Sequence, residues 1–233
     1  MPVMFLLIGT GAFAQRYELN LPDHDDKPYY GGLSFSYISS TFNITNHPKF
    51  MIDDTIVVAE PVPTAGFGFG IWGYLKLAPH WELRSSLGLT LAFANKKIQY
   101  HLSYPNRVFD EEPVTNKIIE STTITLPLHL KFKSDRINNF RVYTFAGGRL
   151  DYDLSSNARA RKADNFIKLK PIDLGVELGV GMEFYFQYFI LAPEIKISHG
   201  LNNIHSRDPN LKYSNVIDKM NSRQVFFTIM IHG

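Results

Sequence analysis

The stretch PDHDDK, Pro22 to Lys27, sets Asp23, His24, Asp25 and Asp26 side by side. Oxygen-rich sets of this kind suit hard cations, but a calcium loop spreads its ligands over about twelve residues, and these are consecutive. The plainer readings are a solvated acidic leader, or a leader that folds against a cationic surface. A second cluster, NARARK from Asn157 to Lys162, carries Arg159, Arg161 and Lys162, which could bind a lipopolysaccharide phosphate or another anion. Hydrolytic chemistry is thinly provided. Ser198 and His199 are adjacent, but neighbours in an extended segment point to opposite faces and cannot work as nucleophile and base. Gly-x-Ser-x-Gly is absent. There is no cysteine, hence no thiol nucleophile, thiolate ligand or disulfide framework. A net charge of +2 gives no nucleic-acid footprint. No catalytic residue, cofactor or small-molecule substrate emerges.

Of these residues Ser198 and His199 lie in an extended segment, and such segments make up most of the chain. In PIDLGVELGVGMEFYF, Pro171 to Phe186, every second residue is apolar, and glycines and acids stand between. Period two indicates a strand. Seven further segments alternate in the same way, near 30–45, 64–77, 81–95, 118–133, 140–155, 189–203 and 223–232. Their connections alternate in length. Ala78-Pro79-His80, SDRINN (Ser134 to Asn139) and Gln187-Tyr188 are short. Asn46 to Pro63, Lys96 to Lys117, Ser156 to Leu169 and Ile204 to Ser222 are long. In an antiparallel meander all the long loops then gather at one end. That is the layout of an eight-stranded transmembrane barrel with short periplasmic turns and long extracellular loops.

Segment length and the make-up of the polar face place the apolar set toward lipid. The segments often exceed the roughly 9–11 residues needed to cross at a tilt. Aromatics collect at both ends, as interfacial girdles do: Tyr29, Tyr30, Trp81, Phe132, Phe140, Tyr185, Tyr188 and Phe189 near the short turns, Phe42, Phe93, Tyr100 and Tyr152 near the long loops. The charges then face a lumen that eight strands just fill with side chains, which disfavours free diffusion. If Phe186 faces Phe189 across its turn, Lys196 lies opposite Gly179 and diagonal to Glu177, and Glu194 lies opposite Gly181. This predicts a Glu177–Lys196 pair with Arg149 as a second partner, and lumen positions for Glu194 and Asp151. His129 is a lumen packing or hydrogen-bonding residue beside Lys131. Near the short turns, Lys76, Arg84, Lys131, Lys133 and Arg141 form a basic mouth with few acids. The leader carrying Asp23, Asp25 and Asp26 enters at that end and is expected to close it.

The first residues, MPVMFLLIGTGAFAQ, combine a short apolar run with Ala12-Phe13-Ala14, the pattern of a secretory signal cleaved near Gln15. The expected organisation is a signal over 1–14, a periplasmic leader over 15–28 and a barrel over 29–233. Both termini would be periplasmic, with outer-membrane lipid and lipopolysaccharide as surroundings.

Three stretches resemble the PorT family: KIIESTTITLPLHLKFKSDRINNFRVYTFAGGRLDYDL (Lys117 to Leu154), IKLKPIDLGVELGVGMEFYFQYFILAPEIKISHGLNNI (Ile167 to Ile204), and the leader LNLPDHDDKPYYGG with its Asn-Leu-Pro-x-x-Asp start. The Lys-Ser-x-Arg-x-Asn-Asn turn and the Pro-Glu-Ile-Lys strand are the most telling. The resemblance implies an outer-membrane barrel of Bacteroidota. It further implies an accessory, non-catalytic part in the type IX secretion system, with other components of that system as partners, and a role in gliding in some relatives. A structural or adhesion barrel and a lipid-A-modifying enzyme stay open as alternatives.

Overall fold

The computed structural model describes residues 18–46, 56–103, 113–156, 169–206 and 212–233. Eleven strands lie among them: β1 (Tyr29–Asn46), β2 (Ile56–Val62), β3 (Thr64–Ala78), β4 (Trp81–Phe93), β5 (Lys96–Leu102), β6 (Val114–Ile119), β7 (Thr122–Lys133), β8 (Phe140–Asp153), β9 (Ile172–Tyr185), β10 (Ile190–Gly200) and β11 (Ile217–His232). Eight of them close a barrel in the order β1-β11-β10-β9-β8-β7-β4-β3, every pair antiparallel. The order is a meander with excursions between β1 and β3 and between β4 and β7. The barrel strands run from 11 to 18 residues, long enough to span a bilayer at a tilt. Among the described residues no helix is long and apolar enough to cross a membrane.

The alternation resolves into two surfaces. Val176, Leu178, Val180, Met182 and Phe184 of β9 point outward and are 37–60% exposed, while Asp173, Glu177 and Glu183 are buried inside. Leu33, Phe35 and Tyr37, Phe67, Phe69 and Ile71, and Phe227, Ile229 and Ile231 extend the apolar surface around the wall. A continuous apolar surface of this size calls for lipid as solvent.

The glycines of β9 answer to the inner surface. A Cβ on Gly179 would lie 2.3 Å from Phe145 Cζ and 2.7 Å from the Ile195 carbonyl oxygen, and one on Gly181 would lie 2.3 Å from Tyr143 Cζ. The missing side chains leave room for two rings from β8 to lie across the floor of the lumen. The turn after β9 sets the register: Phe186 N–H donates to the Phe189 carbonyl at 2.9 Å, Lys196 lies opposite Gly179, and Glu194 lies opposite Gly181.

Two of the long connections hold strands where the sequence suggested loops. β2 lies within the first, and β5 with most of β6 within the second; they pair as a separate sheet, β2-β5-β6. Its apolar side packs with Phe42 and Ile44 of β1, with Met220 and Ile217 of β11, and with Leu169 and Tyr213. Phe42 and Tyr100, expected in the outer girdle, are buried in this layer, because Phe42 has lumen parity and Tyr100 stacks edge-on to Tyr213. The sheet thus lays an apolar lid on the long-loop end of the lumen.

Overpacking at the β9–β8 contact should be measurable. Gly179→Val is expected to destabilise the refolded barrel by about 1–3 kcal/mol, read as a lower urea midpoint in micelles. The lipid-facing neighbour change Val180→Ile should stay within about 0.5 kcal/mol of the parent.

Candidate functional site

Among the described residues, twelve charged side chains of the barrel strands are buried in the lumen. The cations are Arg84, Lys131, Lys133, Arg141, Arg149 and Lys196; the carboxylates are Glu82, Asp151, Asp173, Glu177, Glu183 and Glu194. Six stand against six, and Lys96 of β5 is buried beside them at the long-loop end, near Asp151 and Asp173. A buried charge without a partner is strongly destabilising, so geometry decides whether the set is tolerable. Three groups share the work along the lumen.

At mid-lumen, Arg84 grips Glu194 with both terminal nitrogens, at 2.8 and 3.3 Å, and lies over the Phe145 ring at 3.7 Å. Tyr143 donates to the same carboxylate at 3.0 Å. Arg84 Nε donates to His129 Nδ1 at 3.1 Å, which leaves His129 Nε2–H to donate to Glu177 at 2.6 Å. Lys196 donates to Glu177 at 3.0 Å, and Arg149 Nε lies 4.0 Å from it. Toward the long-loop end, Arg149 pairs with Asp151, with Asp173 at 3.1 Å and with Ser222 at 2.7 Å; Ser222 also bonds Asp173. Asp173 was not singled out from sequence.

The short-turn mouth differs from the expectation of a basic ring with few acids. Glu82 and Glu183 stand among the cations. Lys133 and Lys131 both pair with Glu82, and Lys131 with Glu183. Arg84 lies deeper, on Glu194. The signal was available, since Glu82 sits directly opposite Lys131 in the β4–β7 ladder. Tyr30 and Tyr185, expected in the girdle, turn inward because they share the parity of Ser34 and Glu183. Tyr30 donates to Glu82 at 2.8 Å and Tyr185 to Glu183 at 2.9 Å.

The leader is seated in this mouth as a short 3-10 turn, Pro22–Asp26. Of its acids, Asp25 makes the ion pairs, 2.8 Å from Arg141 and 3.6 Å from Arg136, and Lys76 donates to its carbonyl oxygen. Asp23 and Asp26 are exposed. The residue that enters the mouth is His24, buried against Tyr30, His232 and Tyr185 with ring centroids 4.6, 5.8 and 6.1 Å away. Among the described residues no group of three or more His, Asp or Glu side chains is placed to hold a metal ion.

The SDRINN turn holds the leader's other side. Arg136 donates to the carbonyls of Asn20 and Leu21 and lies 3.8 Å over the Tyr185 ring. Asn139 accepts from the Asn20 N–H at 2.9 Å and donates to the Glu18 carbonyl at 3.0 Å. Leu21 and Asn138, at φ 50° and 55°, are the two non-glycine residues with positive φ among those described. Both lie in this latch; each occupies the left-handed region at a cost of about 1–3 kcal/mol that the surrounding bonds offset. The basic stretch with Arg159, Arg161 and Lys162, and the signal over 1–14, lie outside the described residues.

Removing one partner of the central pair should be far worse than removing both. Arg84→Leu is expected to cost about 3–5 kcal/mol, and Arg84→Leu with Glu194→Leu to recover most of it, by urea unfolding in micelles. The leader should respond to pH. Burial, with Nε2 unpartnered, pushes the His24 imidazole down from 6.5 to about 4; Lys27 adds to this, while Glu183, Asp25 and Glu82 oppose it. The docked imidazole is neutral, so docking is strongest above about pH 6.5 and weakens as the pH falls toward 4. A fluorophore on Leu19→Cys, in a chain without other cysteines, should lose anisotropy over that window, and His24→Phe should flatten the upper part of the transition.

Residues 26–206 match the family model described as outer membrane protein beta-barrel domain. No curated protein matches the chain. Similar solved structures include OprG from Pseudomonas aeruginosa, 13% identical over 88% of this chain and 94% of that one with a TM-score of 0.47. Neisserial surface protein A is 9% identical over 88% and 97%, with a TM-score of 0.39. Ail, the attachment invasion locus protein of Yersinia pestis, is 8% identical over 89% and 100%, with a TM-score of 0.37. No argument rests on likenesses this distant. The closed eight-stranded wall, its lipid-suited outer face and the family match agree: the chain belongs to the outer membrane protein beta-barrel domain family and is an integral outer-membrane β-barrel.

Proposed function

We propose that this barrel is a PorT-like, non-catalytic accessory of the type IX secretion system, supporting export of cargo to the cell surface. The observation that carries the reading is the latch. The leader motif Asn20-Leu21-Pro22 and the turn motif with Arg136 and Asn139 carry the resemblance from opposite parts of the sequence, and they are bonded to each other. They read as one device at the short-turn end, which this proposal places in the periplasm with both termini. The filled lumen, with the leader at one end and the apolar lid at the other, supports action through surfaces rather than conduction. Export components would then meet the periplasmic turns or the outer sheet.

The outer sheet also favours a second reading, an adhesion or structural barrel. It stands beyond the membrane band and exposes Val57 and Ile118.

A clean deletion strain separates the readings. Cargo is expected to accumulate in the periplasm, and the restored gene to return it to the surface. Restoration with Arg136→Ala, which unfastens the latch, should give partial export at a normal level of folded barrel. Unchanged export with a weakened envelope would favour the structural reading, and altered lipid A with normal export would favour an enzyme.

A further inference from the structure

Most of the outward surface stays apolar up to the outer ends of the strands: Phe67 and Phe93 on β3 and β4, Leu150 and Tyr152 on β8, Ile172 and Leu174 on β9. On β1 and β11 it does not, although Leu201, just past the end of β10, is an exposed apolar residue beside Asn221. One ladder row there reads Thr41, Arg223, His199. The next row outward pairs Asn43 with Asn221, and the one beyond pairs Thr45 with Lys219. Arg223 has the parity of Val225, Phe227 and Ile229, so its side chain leaves the barrel on the lipid side, and it is exposed.

An arginine on that side is costly at mid-bilayer, by about 2–4 kcal/mol, and nearly free at the headgroup level. The apolar residues below it and the asparagines above it put Arg223 at that level. Among the described residues no carboxylate pairs with Arg223 or Lys219. A guanidinium fork fits phosphate oxygens in a bidentate manner, and the flanking strands set the Thr41 hydroxyl and the His199 imidazole beside it as further hydrogen-bonding groups. Lys219, four residues farther along β11 and roughly 13 Å away, adds a second positive charge toward the aqueous side.

We propose that Arg223, flanked by Thr41 and His199, binds the phosphate of an outer-leaflet lipid headgroup. The choice of leaflet rests on the orientation given above; the binding chemistry does not. The site would fix one lipid against the β1–β11–β10 sector and so give the barrel a defined rotational face in the membrane.

The test uses the purified full chain in maltoside micelles, which contain no phosphate. Phosphorylated lipid A is titrated in, and bound lipid is counted by native mass spectrometry, with dephosphorylated lipid A and inorganic phosphate as separate arms. The parent should retain the phosphorylated lipid. Arg223→Gln should weaken retention about tenfold or more, the size expected for one charge-assisted hydrogen-bonded contact. Arg223→Lys should restore part of it, and His199→Phe should cause a smaller loss. A heat-modifiable gel shift confirms that each variant remains a barrel, and any that does not is replaced by Lys219→Gln. Equal retention by the parent and Arg223→Gln, or equal retention of the dephosphorylated lipid, overturns the proposal. Displacement by millimolar inorganic phosphate also overturns it, since the site would then be a general anion site. Because micelles report neither export nor orientation, a barrel that holds the lipid yet is dispensable for export keeps this inference and removes the secretion reading.

Discussion

A charge enclosed in a narrow cylinder of low dielectric must meet its opposite, and this requirement organises the protein. The pairs draw on strands far apart in sequence, such as Arg84 of β4 and Glu194 of β10. A slip of one residue in any intervening ladder would turn a whole face outward and send carboxylates into lipid. The network thus selects one register among those that the apolar face alone would permit. The small residues serve the same end. Gly179 and Gly181 admit Phe145 and Tyr143, and those rings support Arg84 and Glu194.

The buried charges are unevenly spread. All twelve lie on β4, β7, β8, β9 and β10. Among the described residues β11, β1 and β3 bury no Lys, Arg, Asp or Glu, and Lys76 of β3 lies half-buried at the mouth; Ser36 is bonded to Thr228 at 2.8 Å and Trp72 to Ser34 at 2.8 Å. The two ends differ as well. The long-loop end is covered by an apolar layer that needs no specific partner, while the other end is covered by a polar turn held through directed bonds. A turn of this kind responds to what competes for its bonds.

Alternation made the wall legible in the sequence, because period two survives in every barrel strand and the turn at Gln187-Tyr188 is too short to leave the register free. The Lys196–Gly179 and Glu194–Gly181 oppositions follow from that turn alone. The partner of Glu194 does not, since Arg84 reaches it across the lumen rather than along a ladder. Tyr30 and Tyr185 were misplaced by counting from strand ends when their parity already pointed inward. The β2-β5-β6 sheet was hidden because its runs are short, of mixed character and, at Pro61, interrupted, so length alone made them look like loops. His24 was visible only as one polar residue among acids; nothing local says that it, and not Asp23 or Asp26, would enter the mouth.

The socket that receives His24 is assembled from the first strand of the chain, the last, and one from the middle: Tyr30 on β1, His232 on β11, Tyr185 on β9. β1 and β11 become neighbours only when the sheet joins end to end. Until that moment the imidazole has no complete cavity to occupy, however well formed the hairpins are. A seated leader is therefore a signature of finished biogenesis, and a factor able to distinguish seated from free leader could tell completed barrels from those still being inserted.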